Sequence, residues 1–210
     1  METPILRNKP TFRTLPHINS YPSMSITTTT ESDNKPKINK FTSLNFLPVG
    51  DDFEFEQIDE EYMDSTRGPS EILEHLYIGS EEHASCISHL EENNITNVLN
   101  VAKGCKNYFK GDFKYHNLPV LDVCEEDISV IFEEAIEIIE KVRLDSGKIL
   151  VHCNAGISRS ATVCAAYLMK SQGISMDDAL KIIKDKRRCI APNFGFMLKL
   201  MKFQDTLTQD

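Results

Sequence analysis

The feature that most constrains this fold is a run at residues 148–152 (KILVH), followed by a short loop of small or uncharged residues and a helical pattern over 159–171. A short, nearly continuous apolar run reads as a strand buried on both faces, the mark of a central strand in a parallel sheet. Parallel strands need crossover connections, so the rest of the chain has to alternate strands with helices. It does. Residues 72–78 (ILEHLYI) read as a first strand ended by Gly79, 84–92 as a helix, 97–101 (NVLNV) as a buried strand and 113–118 as another. Residues 127–143 give the clearest helix. There Ile128, Ile131, Phe132, Ala135, Ile138, Ile139 and Val142 recur at the spacing of one buried face, and Gly147 reads as the stop. Ser175 with Asp178 reads as a capping box for a helix over 176–186, and a last helix covers 194–206. The expectation is an α/β fold, a central, mostly parallel twisted sheet flanked by helices.

Residues 1–66 are of another kind. They hold four consecutive threonines (Thr27, Thr28, Thr29, Thr30), scattered prolines and no sustained apolar periodicity. They read as a disordered tail ahead of one folded domain at 67–208. Basic residues are spread up to Lys40, while acids dominate 51–64. The whole chain has 210 residues, 40% apolar and 26% charged, which is a soluble globular composition. Its formal net charge of -9 argues against a broad nucleic-acid face, which needs a basic stripe. Six cysteines contain no C-x-x-C pair, so a zinc site is not expected. With no signal-like or membrane-length apolar run, the expectation is no membrane association and free thiols in a reducing compartment, cytoplasmic and also nuclear.

The loop itself carries the chemistry: His152, Cys153, Asn154, Ala155, Gly156, Ile157, Ser158, Arg159, Ser160. A strand-to-helix loop aims unpaired backbone N–H groups at one point, with the helix dipole behind them, and so binds a phosphate dianion. Gly156 permits a turn that a side chain would obstruct. Arg159 opens the helix and can fork onto two phosphate oxygens. Cys153 lies at the floor of the nest, where the N–H groups, the helix N-terminus and Arg159 all favour thiolate over thiol. Ser160 could donate its hydroxyl to that sulfur. His152, adjacent along the strand, points to the opposite face and reads as a shaper of the loop rather than a base. A lone cysteine after a strand is ordinarily a buried small hydrophobe. It is the whole string in this context that carries the functional reading.

The string H-C-N-A-G-I-S-R-S-A-T resembles the phosphate-binding loop signature of dual-specificity protein phosphatases at every fixed position. Three further segments resemble the family in order: LYIGS at 76–80, VLNVA at 98–102 and IAPNFGF at 190–196. The resemblance covers 70 to about 206, and the stretch 98–122 is most similar to small atypical members linked to stress-activated kinase pathways. It implies a protein tyrosine phosphatase-like fold. The implied activity is hydrolysis of phosphotyrosine and phosphothreonine or phosphoserine through a cysteinyl-phosphate, with no metal or organic cofactor. The implied partners are phosphoprotein substrates, among them members of MAP kinase pathways.

Such a reaction needs a proton donor from another loop. Residue chemistry alone leaves Asp122, Glu125, Glu126 and Asp127 open, although Asp127 also reads as the cap of the following helix. The family pattern singles out Asp122, after LPVL at 118–121, with Glu126 and Asp127 as alternates. By the same resemblance, Arg188, four residues before Pro192, matches a second phosphate site of some relatives, and Asn193 holds adjoining loops together. The plain reading of Lys186, Arg187 and Arg188 is a solvated helix end. Cys124, two residues past Asp122, is weighed as a disulfide partner for an oxidised Cys153 against a bystander role. A kinase-docking reading of Lys37, Lys40, Leu44 and Phe46 is set against a plain linker. Two alternatives to catalysis on phosphoproteins stand beside the main reading. One is a phosphoprotein-binding adaptor of weak activity. The other is a phospholipid phosphatase, which the absence of lysine at 154–158 disfavours.

Overall fold

The computed structural model describes residues 68–208. The expectations for the tail, including the docking peptide and the acidic stretch, lie outside the described residues. Within them a five-stranded sheet runs in the order β1-β2-β5-β3-β4. The strands are β1 (Ser70–Leu73), β2 (Leu76–Gly79), β3 (Asn97–Ala102), β4 (Lys114–Val120) and β5 (Ile149–His152). β5 is central and parallel to both β2 and β3, and β4 is parallel to β3; only β1 is antiparallel. The α/β expectation holds.

Period-two alternation sorts the strand side chains onto two faces. Leu76, Ile78, Leu99, Val101, Ile149 and Val151 join the larger apolar core, while Tyr77, Val98 and Leu150 join a smaller one with Ala84, Leu90 and Ile95. The larger core is covered by α3 (Phe132–Leu144), α4 (Arg159–Gln172), α5 (Met176–Lys186) and α6 (Phe194–Leu207). α1 (Glu81–Ser85) and α2 (Ile87–Glu92) cover the smaller one. α4 is buried without a break from Arg159 to Met169. Its small residues Ala161, Cys164, Ala165 and Ala166 let the sheet and neighbouring helices approach closely. Each fully buried aliphatic side chain contributes about 1.5–3 kcal/mol. Among the described residues, no helix is long and apolar enough to cross a membrane.

Four local expectations need correction. The single strand at 72–78 is a hairpin. Leu73 pairs with Leu76, and the polar Glu74 and His75 form its turn. The helix at 84–92 is two helices, because Cys86 adopts an extended conformation (φ -104°, ψ 107°). The helix beginning at Asp127 starts with a 3-10 turn, Ile128–Ile131, which Asp127 caps by accepting from the Ser129 amide at 3.2 Å. At its other end the left-handed residue is Ser146 (φ 57°), not Gly147. Gly147 is needed for space instead: a Cβ there would sit 2.8 Å from Thr96 Oγ1. The 176–186 and 194–206 helices fall where expected, the latter ending at Leu207.

Candidate active site

The parallel strands deliver their carboxyl ends to one edge, the usual ligand position of an open α/β sheet. Gly79, His152 and Asn100 lie side by side in register there. The loop 153–158 leaves β5 at that edge and enters α4 at Arg159. Gly156 has φ +70°, and a Cβ on it would lie 2.6 Å from the Gly79 carbonyl group, so both conformation and space demand glycine.

Cys153 is buried, and its Sγ accepts from the Gly156 amide at 3.2 Å and lies 3.4 Å from Ser160 Oγ. Arg159 is also buried. Its Nη1 donates to the Val120 carbonyl at 3.2 Å, and its Nε lies 3.4 Å from Asp122 Oδ2 as an ion pair without hydrogen-bond geometry. That Nε is a buried donor with no hydrogen-bond partner. Asp122 Oδ1 accepts from Ser158 Oγ at 2.8 Å and from Asn193 Nδ2 at 2.9 Å. Ser158 Oγ in turn accepts from the Asn193 amide at 3.2 Å. Three separate segments therefore meet around one carboxylate: the phosphate-type loop, the loop after β4, and the turn before α6.

The remaining candidates divide. His152 is fully buried. Its Nδ1 donates to the Cys153 carbonyl at 3.2 Å, and burial lowers its pKa. Asn154 faces outward and donates through Nδ2 to Glu81 Oε2 at 3.2 Å. Ala155 is exposed and Ile157 half-buried. Of the alternates to Asp122, Asp127 is committed to Lys199 at 2.9 Å as well as to its cap. Arg188 is exposed in the turn after α5. Cys124 is exposed, and its backbone packs against Gly195. All six cysteines are free thiols.

Two residues to which sequence reasoning gave no part in the loop are tied to it: Glu81, and Arg187, which reads with Lys186 and Arg188 as a solvated helix end but is half-buried against loop carbonyls. Glu81 starts α1, where its amide donates to the Asn154 carbonyl at 2.9 Å. Its carboxylate accepts from Asn154, the Lys106 amide and, at 2.8 Å, the Tyr108 hydroxyl, so it links the loop to the β3–β4 connection. Burial alone would raise the Glu81 pKa, but the hydrogen bonds from Tyr108, Cys105 and Lys106 outweigh it and the net direction is down. Arg187 reaches back from the end of α5 onto two loop carbonyls. Nothing in the local sequence marks either partnership, since the contacts span 73 and 31 residues.

Comparison with known proteins gives a family and a fold for the chain. The family model "Dual specificity phosphatase, catalytic domain" matches residues 76–206. The chain is 47% identical over 137 residues to dual specificity protein phosphatase 1-B of Xenopus laevis, covering 65% of this chain and 37% of that protein. The same identity and span hold for dual specificity protein phosphatase 2 of Homo sapiens, of which 44% is covered. The chain thus spans less than half the length of these curated relatives. Among solved structures, a human DUSP28 variant superposes with a TM-score of 0.65 at 30% identity, over 68% of this chain and 97% of that one. A mouse putative dual specificity phosphatase complexed with zinc tungstate gives 0.65 at 33%, over 67% and 89%. The human tyrosine phosphatase-like serine/threonine/tyrosine-interacting protein gives 0.65 at 32%, over 68% and 99%.

Proposed function

The chain belongs to the dual specificity phosphatase family, and we propose that it hydrolyses phosphotyrosine and phosphothreonine or phosphoserine in proteins, with residues 67–208 as the catalytic domain. The observation that carries this reading is the pairing of the Cys153 sulfur, held by an inward amide, with a buried Arg159 whose Nε lacks a hydrogen-bond partner beside Asp122. A buried unpaired donor is costly, and a phosphoryl oxygen is the ligand that would pair it.

In this reading the Cys153 thiolate attacks phosphorus and the bond to the ester oxygen breaks. Asp122, as the acid, gives that oxygen its proton. The phosphoryl oxygens lie against Arg159 and the amides of 154–159 throughout. Asp122, now a carboxylate, takes a proton from water as the water attacks phosphorus, and the sulfur leaves as thiolate, steadied by the Ser160 hydroxyl. Phosphate departs and the cycle closes with atoms and charges balanced. No metal or organic cofactor enters these steps. Phosphoproteins of MAP kinase pathways are the proposed substrates, on the family resemblance, and the cytoplasm and nucleus the proposed compartments.

A second reading is kept because one similar structure bears the name of a phosphatase-like interacting protein. Under it the loop binds phosphoproteins without turnover. Hydrolysis of 4-nitrophenyl phosphate separates the two. Wild type should turn over and Cys153→Ser should not; equal rates would end the thiolate mechanism, and an inert wild type would favour the binding role. Asp122→Ala should lose most of its rate while retaining bound phosphoprotein, which makes it the form for capturing substrates.

A further inference from the structure

Within residues 153–158 every carbonyl is engaged from outside the loop. Cys153 O accepts from His152 Nδ1, Asn154 O from the Glu81 amide, Ile157 O from the Ala191 amide at 3.0 Å, and Ser158 O from the Thr162 amide and hydroxyl. The two carbonyls at the tip, Ala155 and Gly156, accept from a single side chain. Arg187 Nη2 donates to the first at 3.2 Å and Nε to the second at 2.8 Å.

A trans peptide unit is planar, with its C=O and the next N–H pointing opposite ways. Holding the Ala155 carbonyl outward therefore turns the Gly156 amide inward, where it donates to Cys153 Sγ at 3.2 Å. Holding the Gly156 carbonyl outward turns the Ile157 amide inward in the same way. The other four carbonyls are held by backbone amides or by near neighbours in the chain. The tip alone depends on one long side chain from another helix, and it contains the one loop residue with positive φ. Glycine offers no steric resistance to a peptide flip of its own. The turn is packed instead between the Gly79 backbone and the Arg187 guanidinium, the latter 2.7 Å from where a Gly156 Cβ would stand.

We propose that Arg187 is a positioning residue for the phosphate site: its guanidinium locks the two tip peptides so that their amides face the sulfur and the phosphoryl group. This rests on the phosphatase reading for its effect on turnover, but its effect on oxyanion binding does not. The fork matters, since a lysine ammonium is a single point whose donors rotate and cannot hold the two carbonyls in the fixed geometry of Nε and Nη2. It also differs from the second-phosphate role expected of the adjacent Arg188, because Arg187 would act through the loop and touch no substrate.

The test uses the full chain and two readouts: calorimetric binding of inorganic phosphate, and kcat and KM for 4-nitrophenyl phosphate. Arg187→Met should weaken phosphate at least tenfold and lower kcat/KM on the order of thirtyfold. Arg187→Lys should fall between it and wild type. Methylguanidinium should recover several-fold activity in Arg187→Ala, which a general loss of stability would not allow. Lys181→Met, removing one exposed charge from the same helix, should change neither readout beyond twofold. Phosphate affinity of Arg187→Met within threefold of wild type would overturn the proposal, as would losses in Arg187→Ala that methylguanidinium leaves unchanged. Should the truncations not fold, Arg187→Lys decides: a threefold or greater loss of phosphate affinity supports the proposal and an unchanged affinity overturns it. If the wild type binds phosphate yet turns nothing over, the phosphatase reading fails while the binding series still judges Arg187.

Discussion

Asn193 ties Asp122 to the first turn of α6: its Nδ2 donates to Asp122 Oδ1 at 2.9 Å while its Oδ1 accepts from the Phe196 amide at 3.0 Å. Clamped at both ends, the side chain cannot turn away from Asp122 without giving up the helix cap. Asn193→Ala should therefore cost about 1 kcal/mol of stability for the lost cap. It should also slow esters with poor leaving groups more than those with good ones, because only the former need a well-placed acid. The expected ratio is about tenfold between phenyl phosphate and 4-nitrophenyl phosphate. Asn193→Asp separates the two effects. It keeps a capping oxygen but loses the donor and sets a second carboxylate beside Asp122, so stability should hold while the leaving-group dependence steepens.

In the proposed cycle Ser160 would act in the second half. Its Oγ lies 3.4 Å from Cys153 Sγ and both groups are buried. In the first step sulfur attacks, and in the second it leaves, so a hydroxyl that stabilises thiolate helps departure most. Ser160→Ala should lower kcat on the order of tenfold with a smaller fall in kcat/KM. Rapid mixing with 4-nitrophenyl phosphate should then show a burst of nitrophenol that approaches one equivalent of enzyme. A linear trace with an unchanged kcat would remove Ser160 from the mechanism.

Gly195 lies in the first turn of α6, where a Cβ would come 2.0 Å from the Cys124 carbonyl oxygen and 2.7 Å from its carbon. Replacing glycine by alanine inside a helix ordinarily gains up to about 1 kcal/mol. Here the contact is backbone to backbone and cannot be relieved by a rotamer change, so the clash should win. Gly195→Ala should lose about 2 kcal/mol or more in urea unfolding. Because the displaced loop carries Asp122 two residues earlier, the same leaving-group test should show damaged acid catalysis. Retained stability and unaltered kcat would mean that the loop yields freely.

What the sequence disclosed follows from how far apart the interacting residues lie. Strand β5, the loop and α4 are consecutive, so the apolar run, the small residues and Arg159 could be read together as a phosphate cradle. Asp122 is singled out as the acid only by the family resemblance, since Glu125, Glu126 and Asp127 are chemically equivalent at that level. The structure distinguishes Asp127 from Asp122 by partner: Lys199 and a helix cap for one, Ser158 and Asn193 for the other. The loop contacts of Glu81 and Arg187 were invisible because they join distant segments, and Arg187 was legible only as part of a basic helix end. The hairpin at Glu74 and His75 was missed for another reason. Its alternating pattern fits one strand as well as two, and only pairing of Leu73 with Leu76 decides. At Ser146 a non-glycine residue occupies the left-handed position beside an available glycine, which propensity would not select.

His83 makes stability depend on acid in a way that can be traced to geometry. The ring is buried, its Nδ1 accepts from the Ser80 amide at 3.1 Å, and its Nε2 has no hydrogen-bond partner. Burial, then the charges of Arg187, His89 and His152, lower its pKa to about 4 from 6.5. A proton on Nδ1 would face the Ser80 N–H and break that half of the capping box of α1. The folded state therefore resists protonation that the unfolded chain accepts. Stability present above the unfolded value is lost as pH falls through 6.5 toward 4, and the loss levels off below the folded value. With these values, His83 alone should remove about 2 kcal/mol between about pH 7.5 and about pH 5. Asn at this position supplies an acceptor for the Ser80 amide without titrating. Urea unfolding of His83→Asn should thus show a shallower acid dependence than wild type by about that amount, and parallel curves would mean that another group carries the proton.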